Sequence, residues 1–306
     1  MRRLVAVVGP TGVGKSRLAL RLARDFGGEI ISADSRQVYR FLDIGTAKPT
    51  REEQSLERHH LIDITYPDED FSLAQYQKLA CEAIDDIQQR GRLPLLVGGS
   101  GLYVWAVLEG WEIPQVPPDV EFRRSLQREA AEFGGRRLYE ELARVDPEAA
   151  QRIDPRNVRR VIRALEVSRH AQVPISELRR KKAPGHDCLI VGLTSERLEL
   201  YRRIDARVDE MIERGLIDEV KKLANMGYGS DLPAMSGIGY KQIGTYLRGE
   251  LTLAAAIEQT KTESHRVVRH QYSWFRLKDE RIHWFDVKED IESEIAALIT
   301  RFIAGH

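Results

Sequence analysis

Short apolar runs punctuate an otherwise charged chain at residues 4–8, 29–32, 93–97, 188–193 and 282–285. Each is strand-sized, and the longer ones are continuously apolar rather than alternating, as expected of strands covered on both faces. Between them the apolar positions take helical spacing. Residues 15–26 carry Leu18, Leu20, Leu22, Ala23 and Phe26 against Arg17, Arg21 and Arg24, and Gly27-Gly28 stops the pattern. Residues 71–90 place Leu73, Tyr76, Leu79, Ala80, Ala83, Ile84 and Ile87 on one side, and 196–225, broken at Gly215, and 252–278 read likewise. Strand and helix in alternation predict an α/β protein with a parallel sheet flanked by helices.

The texture changes after Trp111. Ile113 to Pro118 reads as a linker and Pro184-Gly185 as its return partner, with helical spacing and no strand run between. The expected organisation is a core of residues 1–112 and 186–306, interrupted by a helical insertion domain at 113–185. Residues 119–182 hold 16 Lys or Arg against 11 Asp or Glu, clustered at Arg156, Arg159, Arg160 and Arg163 and at Arg179-Arg180-Lys181-Lys182. A solvated helix bundle explains such a mixture; a patch for a polyanion is the sharper reading.

The whole chain of 306 residues is formally neutral, with 42% hydrophobic and 31% charged residues. Neutrality argues against an extended nucleic-acid surface, although it hides the local excess. No apolar run approaches the roughly 18 residues of a membrane span. Met1-Arg2-Arg3 leads straight into the first strand pattern, so a cytosolic protein is expected. Cys81 and Cys188 have no paired spacing and are expected in the core, with no disulfide and no zinc site.

Chemistry concentrates where strand patterns end. Gly9-Pro10-Thr11-Gly12-Val13-Gly14-Lys15-Ser16 follows the first run and opens the first helix. That spacing turns backbone N–H groups onto a phosphate, brings Lys15 to it and lets Ser16 hold Mg²⁺. Asp34 follows the second run, as a turn residue or as a proton acceptor. Gly98-Gly99-Ser100-Gly101 follows the 93–97 run and suggests close approach of backbone to a ligand. Adjacent His59 and His60 point apart and lack a third ligand, so a structural role is expected. Trp274 and Phe275 are expected in the core.

Several of these stretches, with Ser32 to Tyr39, Ile44 to Lys48, His59 to Asp63, Val97 to Tyr103, Arg163 to Val167, Gly239-Tyr240-Lys241 and Gln271 to Arg276, resemble the tRNA dimethylallyltransferases, the bacterial tRNA isopentenyl transferases. The resemblance runs through nearly the whole chain in the family's order. It implies a P-loop-type sheet and transfer of a dimethylallyl group from dimethylallyl diphosphate to the exocyclic amine of the adenosine just 3′ of the anticodon. Asp34 matches the family's general base and Arg207 its diphosphate clamp, beside Lys15 and the 9–16 cradle with Mg²⁺ at Ser16. Ser35, Arg36 and Gln37 would touch the nucleotide, and Ser100 the reacting centre or the tRNA backbone. Arg123, Arg159, Arg160 and Arg163 would meet the anticodon stem-loop. The chain is expected to act as a monomer. Ser100 stands where the family commonly has Thr, and Val268-Arg269-His270-Gln271 where it usually reads Ala-Lys-Arg-Gln.

Two rivals fit part of the pattern. A small-molecule kinase would use the same cradle for ATP and Asp34 to deprotonate a hydroxyl, but no metal-holding acid follows the 93–97 run, where Gly98 comes directly. A nucleotide-gated RNA-binding protein would need no Asp34.

Overall fold

The computed structural model describes residues 3–114, 116, 119–171, 185–288 and 291–305. The Arg179 to Lys182 cluster, Pro117-Pro118 and Pro184 lie outside them. The chain divides into two compact units, Met1–Leu108 with Pro184–His306, and Glu109–Ala183.

The first unit is built on one six-stranded, all-parallel sheet. Its strands are β1 (Arg3–Val8), β2 (Gly28–Ser32), β3 (His59–His60), β4 (Leu93–Gly98), β5 (Asp187–Thr194) and β6 (Ile282–Asp286), in the order β3-β2-β4-β1-β5-β6. β1 lies centrally between β4 and β5, with Val8 opposite both Gly98 and Gly192. Leu4 to Val8 have no solvent exposure, which is why the run is uninterruptedly apolar. Burying each such side chain contributes about 1.5–3 kcal/mol. Helix α1 (Lys15–Phe26) turns Leu18, Ala19, Leu22 and Ala23 onto the sheet and stops at Gly27 in the left-handed region.

All the apolar runs form strands, and the helical spacing of 71–90 becomes α3 (Leu73–Gln89), after the short α2 (Arg51–Leu56). A capping box at Ser72 and Gln75 starts α3. Helix α4 (Gly101–Leu108) follows β4. Past the second unit come α9 (Arg197–Glu213), α10 (Leu216–Asn225), a 3₁₀ turn Ala234–Ser236, α11 (Tyr240–Leu247), α12 (Leu253–Trp274) and α13 (Glu292–Ala304). Phe275 is buried, Trp274 half-buried. Cys81 and Cys188 are free and half-buried rather than fully in the core. Among the described residues no helix is long and apolar enough to cross a membrane.

Among its described residues the second unit contains the helices α5 (Val120–Phe133), α6 (Gly135–Val145), α7 (Pro147–Arg152) and α8 (Val158–Ala171). Leu126, Leu138, Leu142, Ile153, Val161, Ile162 and Leu165 form its own core. Glu166 has no exposure, yet it is fully paired. It accepts bonds from Asp119 N at 2.7 Å and from Arg123 Nε and Nη2 at 2.7 and 2.8 Å, and Arg163 Nη1 also bonds it. Burial raises the Glu166 pKa, but the two guanidiniums and the amide more than offset this and hold it below the usual range. Glu166→Ala strands these donors and is expected to cost the unit about 2–4 kcal/mol. Hydrogen exchange should then lose protection across α5 and α8 while β1 and β4 keep theirs.

Candidate active site

Because every strand is parallel, the loops after β1, β2 and β4 emerge at one edge of the sheet, where α/β proteins hold ligands. After β1, Gly9 takes φ 141°, and a Cβ there would collide with the Leu193 carbonyl oxygen. Gly12 and Gly14 also take positive φ, at 82° and 102°. Gly14 caps α1 without a side-chain acceptor, so the first N–H groups of the helix are left for an anion. Lys15 Nζ folds back to donate to the Pro10 carbonyl at 2.7 Å. Val13 is buried beneath the loop and Ser16 is exposed at its end.

Asp34 follows β2, within electrostatic reach of two cations. The Lys15 pKa is lowered to about 7 by burial and by the nearby Arg207 charge, with Asp34 pulling the other way. Arg207, on α9, is lowered by burial and likewise held up by Asp34. The carboxylate, the ammonium and the guanidinium thus lie within electrostatic reach of one another. Asp34 Oδ1 accepts from the backbone N–H of Arg36 at 2.8 Å and of Gln37 at 3.4 Å, as an Asx turn. One carboxylate oxygen is not needed for that turn.

The turn after β4 differs from its sequence reading. Its glycines make room for the chain itself: a Cβ on Gly98 would collide with the Ala33 carbonyl, one on Gly99 with the Gln271 amide and one on Gly101 with the Trp274 ring. Ser100 Oγ accepts from Ser35 N at 3.1 Å, so this hydroxyl holds the Asp34 turn. Gly98→Ala drives against backbone and is expected to cost about 1–3 kcal/mol of overpacking. A lower melting temperature, with faster amide exchange at Ala33 and Ser100, whose N–H groups bond the Val97 and Ala33 carbonyls, would register the displaced Ala33-Asp34 segment.

The other expected contacts are engaged internally. The Arg36 guanidinium bonds the Pro233 and Ala234 carbonyls at 2.7 and 3.3 Å and Ser236 Oγ at 3.2 Å. The Gln37 amide donates to the Thr46 and Ala47 carbonyls, both at 3.3 Å, and accepts from Ser32 Oγ at 3.0 Å. In the helical unit Arg123 and Arg163 are bound to Glu166, whereas Arg159 and Arg160 are exposed. His60 Nε2 pairs with buried Glu29 at 2.7 Å and His59 Nδ1 donates to the Glu57 carbonyl at 2.8 Å, structural roles for both.

Two further parts lie in stretches that the sequence singles out but to which it assigns no role in the site. Gln271 bridges the two glycine turns, accepting from Thr11 N at 2.8 Å and donating to the Gly99 carbonyl at 3.2 Å. Tyr103 stacks on Tyr76 with centroids 3.8 Å apart, and Asp34 helps to raise both phenol pKa values, though burial is the larger cause. In a helix pattern these tyrosines look like ordinary core.

The donor set fits a magnesium ion only in one form. Among the described residues no three His, Cys, Asp or Glu gather to hold a metal. An ion at the exposed Ser16 hydroxyl would take most of its oxygens from water and from a bound diphosphate, a habit of Mg²⁺.

Residues 37–278 match the family model for IPP transferase. The chain is 49% identical over 301 residues to a tRNA dimethylallyltransferase of Dehalococcoides mccartyi, covering 98% of this chain and 93% of that one. It is 50% identical over 300 residues to another from Roseiflexus sp., covering 98% of both. Among solved structures, the full-length tRNA isopentenylpyrophosphate transferase of Bacillus halodurans is 45% identical, with a TM-score of 0.73 over 100% of this chain and 96% of that one. A eukaryotic dimethylallyltransferase described as acting on tRNA is 26% identical, with a TM-score of 0.81 over 100% of this chain and 80% of its own. A match of this extent leaves one assignment, and the chain belongs to the IPP transferase family.

Proposed function

We propose that this chain transfers a dimethylallyl group from dimethylallyl diphosphate to the exocyclic amine of the adenosine 3′ of the anticodon in tRNA, releasing diphosphate. The observation that carries the reading is Asp34 in electrostatic reach of Lys15 and Arg207, beside an uncapped helix N-terminus. As the allylic C–O bond breaks, its electron pair leaves with the diphosphate oxygen and positive charge builds on the prenyl carbon. The N–H groups from Gly12 to Ser16, Lys15 and Arg207 neutralise the leaving anion. The amine forms the new N–C bond and gives its proton to Asp34. Mg²⁺, held through Ser16, would add charge neutralisation at the diphosphate.

The target base has to leave its stack to reach the half-buried Asp34 carboxylate. Ser35, Arg36, Gln37 and Ser100 shape the turn that receives it, chiefly through backbone, since the side chains of Arg36 and Gln37 are bound elsewhere. Exposed Arg159 and Arg160 are suited to RNA phosphates. Arg123 and Arg163 would contact RNA only with the edges that Glu166 leaves free.

The test is transfer of label from dimethylallyl diphosphate to an anticodon stem-loop, with ATP hydrolysis and phosphoryl transfer followed in parallel. Label that disappears when the target adenosine is replaced is the expected result. ATP turnover stimulated by a small metabolite, with no labelled RNA, would assign the cradle to a kinase instead.

A further inference from the structure

The 43–45 loop, a few residues beyond the Asp34 turn, is held from α10 by one carboxylate. Glu219, half-buried on α10, accepts from three consecutive backbone N–H groups. These are Asp43 N at 3.2 Å, Ile44 N at 2.9 and 3.1 Å to its two oxygens, and Gly45 N at 3.3 Å. The same carboxylate accepts from Tyr240 Oη at 2.6 Å. Tyr240 is 1% exposed, and a Cβ on Gly45 would come 2.5 Å from its ring, so the 43–45 loop rests directly on it.

The loop passes this constraint inward. Its next two carbonyls, on Thr46 and Ala47, receive the Gln37 amide, and the Gln37 N–H points at Asp34 Oδ1. The rest of the loop is equally fixed. Buried Lys48 donates to the Tyr39 carbonyl at 3.0 Å and to Asp43 and Asp63 at 2.5 and 2.6 Å. Arg36 is tied meanwhile to the 233–236 turn that leads into Tyr240.

We infer that Glu219 is a positioning residue for the transfer step, setting the Asp34 turn through the 43–47 loop and Gln37. Four donors converge on one carboxylate: an amide in its place keeps one oxygen but turns an N–H₂ group toward the donors that the other oxygen held, so part of the set loses its acceptor. The diphosphate cradle is held by different bonds, from Gln271 and Pro10. Loss of Glu219 therefore separates chemistry from donor binding. The inference rests on the reading of Asp34 as the proton acceptor.

The experiment is single-turnover transfer from dimethylallyl diphosphate to the anticodon stem-loop, with the Kd of the diphosphate and the melting temperature measured on the same preparations. Glu219→Gln is expected to slow transfer by about 10- to 100-fold with the diphosphate Kd within about twofold. Should Glu219→Gln fail to fold, Tyr240→Phe removes one bond to the same carboxylate and is expected to slow transfer by about 3- to 10-fold at unchanged Kd. Transfer within twofold of the parent in the folded variant overturns the inference, as does a slowing matched by an equal loss of diphosphate affinity. Asp34→Asn run alongside separates the two ideas. If it still transfers, the reading of Asp34 fails whatever Glu219 does; if it is inactive and Glu219→Gln is normal, only the role of Glu219 fails.

Discussion

Replacing Asp34 by Ala is expected to lower turnover by about 10²- to 10⁴-fold, the usual contribution of a positioned general base, while the stem-loop binds with nearly unchanged affinity. On the proposed reading the carboxylate receives a proton, and it contributes no charge that would attract RNA. Rapid-quench transfer and a binding titration on the same variant give both quantities. Unchanged turnover would remove Asp34 from the mechanism and favour a protein that binds RNA without chemistry. A parallel fall in affinity and turnover would mean that the Asx turn, whose N–H groups lose their acceptor, had collapsed. Asp34→Asn, which keeps that acceptor, separates lost chemistry from a lost turn.

The second large effect concerns Lys15. With its pKa lowered to about 7 by burial and Arg207, much of the ammonium is deprotonated at mildly alkaline pH in the free site. A bound diphosphate supplies the missing negative charge and raises that pKa, so binding at pH 8 takes up a proton. Affinity for the diphosphate is therefore expected to fall by about tenfold per pH unit above pH 7, until the pKa of the bound state is passed. Calorimetry in two buffers of different ionisation heat reads the uptake directly. Lys15→Met should abolish this proton uptake and slow transfer by about 10²- to 10³-fold, as for removal of one donor to a developing anion. Retained uptake in Lys15→Met would assign the proton to another group.

The frame of the site was legible because its signals are local. A buried strand, a glycine-spaced loop and an amphipathic helix lie within residues 3–26, and each constrains its own neighbours. What escaped depends on partners distant in the chain. Gly98, Gly99 and Gly101 announce that something approaches closely, but a ligand and the chain's own Gln271 and Trp274 leave the same mark in sequence. β3 escaped because a two-residue edge strand of histidines has no apolar pattern to show. Charge counting puts Arg163 in a basic patch and the resemblance adds Arg123 as an RNA contact, and neither says that both arginines pair with a buried Glu166; its spacing three residues after Arg163 is the available hint. Nothing in the helical stretch 196–225 singles out Glu219, since its four donors come from residues 43–45 and 240.

The position of the helical unit in the chain has a consequence for biosynthesis. Strand β1 pairs with β4 on one side and β5 on the other, and the insertion separates those two neighbours in sequence. At roughly 5–20 residues per second, a ribosome needs on the order of 5–20 s to make the stretch from Gly98 to Asp187. Throughout that interval β1, apolar from Leu4 to Val8, has one unpaired edge, a template for association between nascent chains. The described helices of the insertion contact one another around a core of their own, and these contacts are complete before β5 is made. Variants that slow or unfold it, Glu166→Ala among them, should therefore reduce soluble yield more than their equilibrium stability implies.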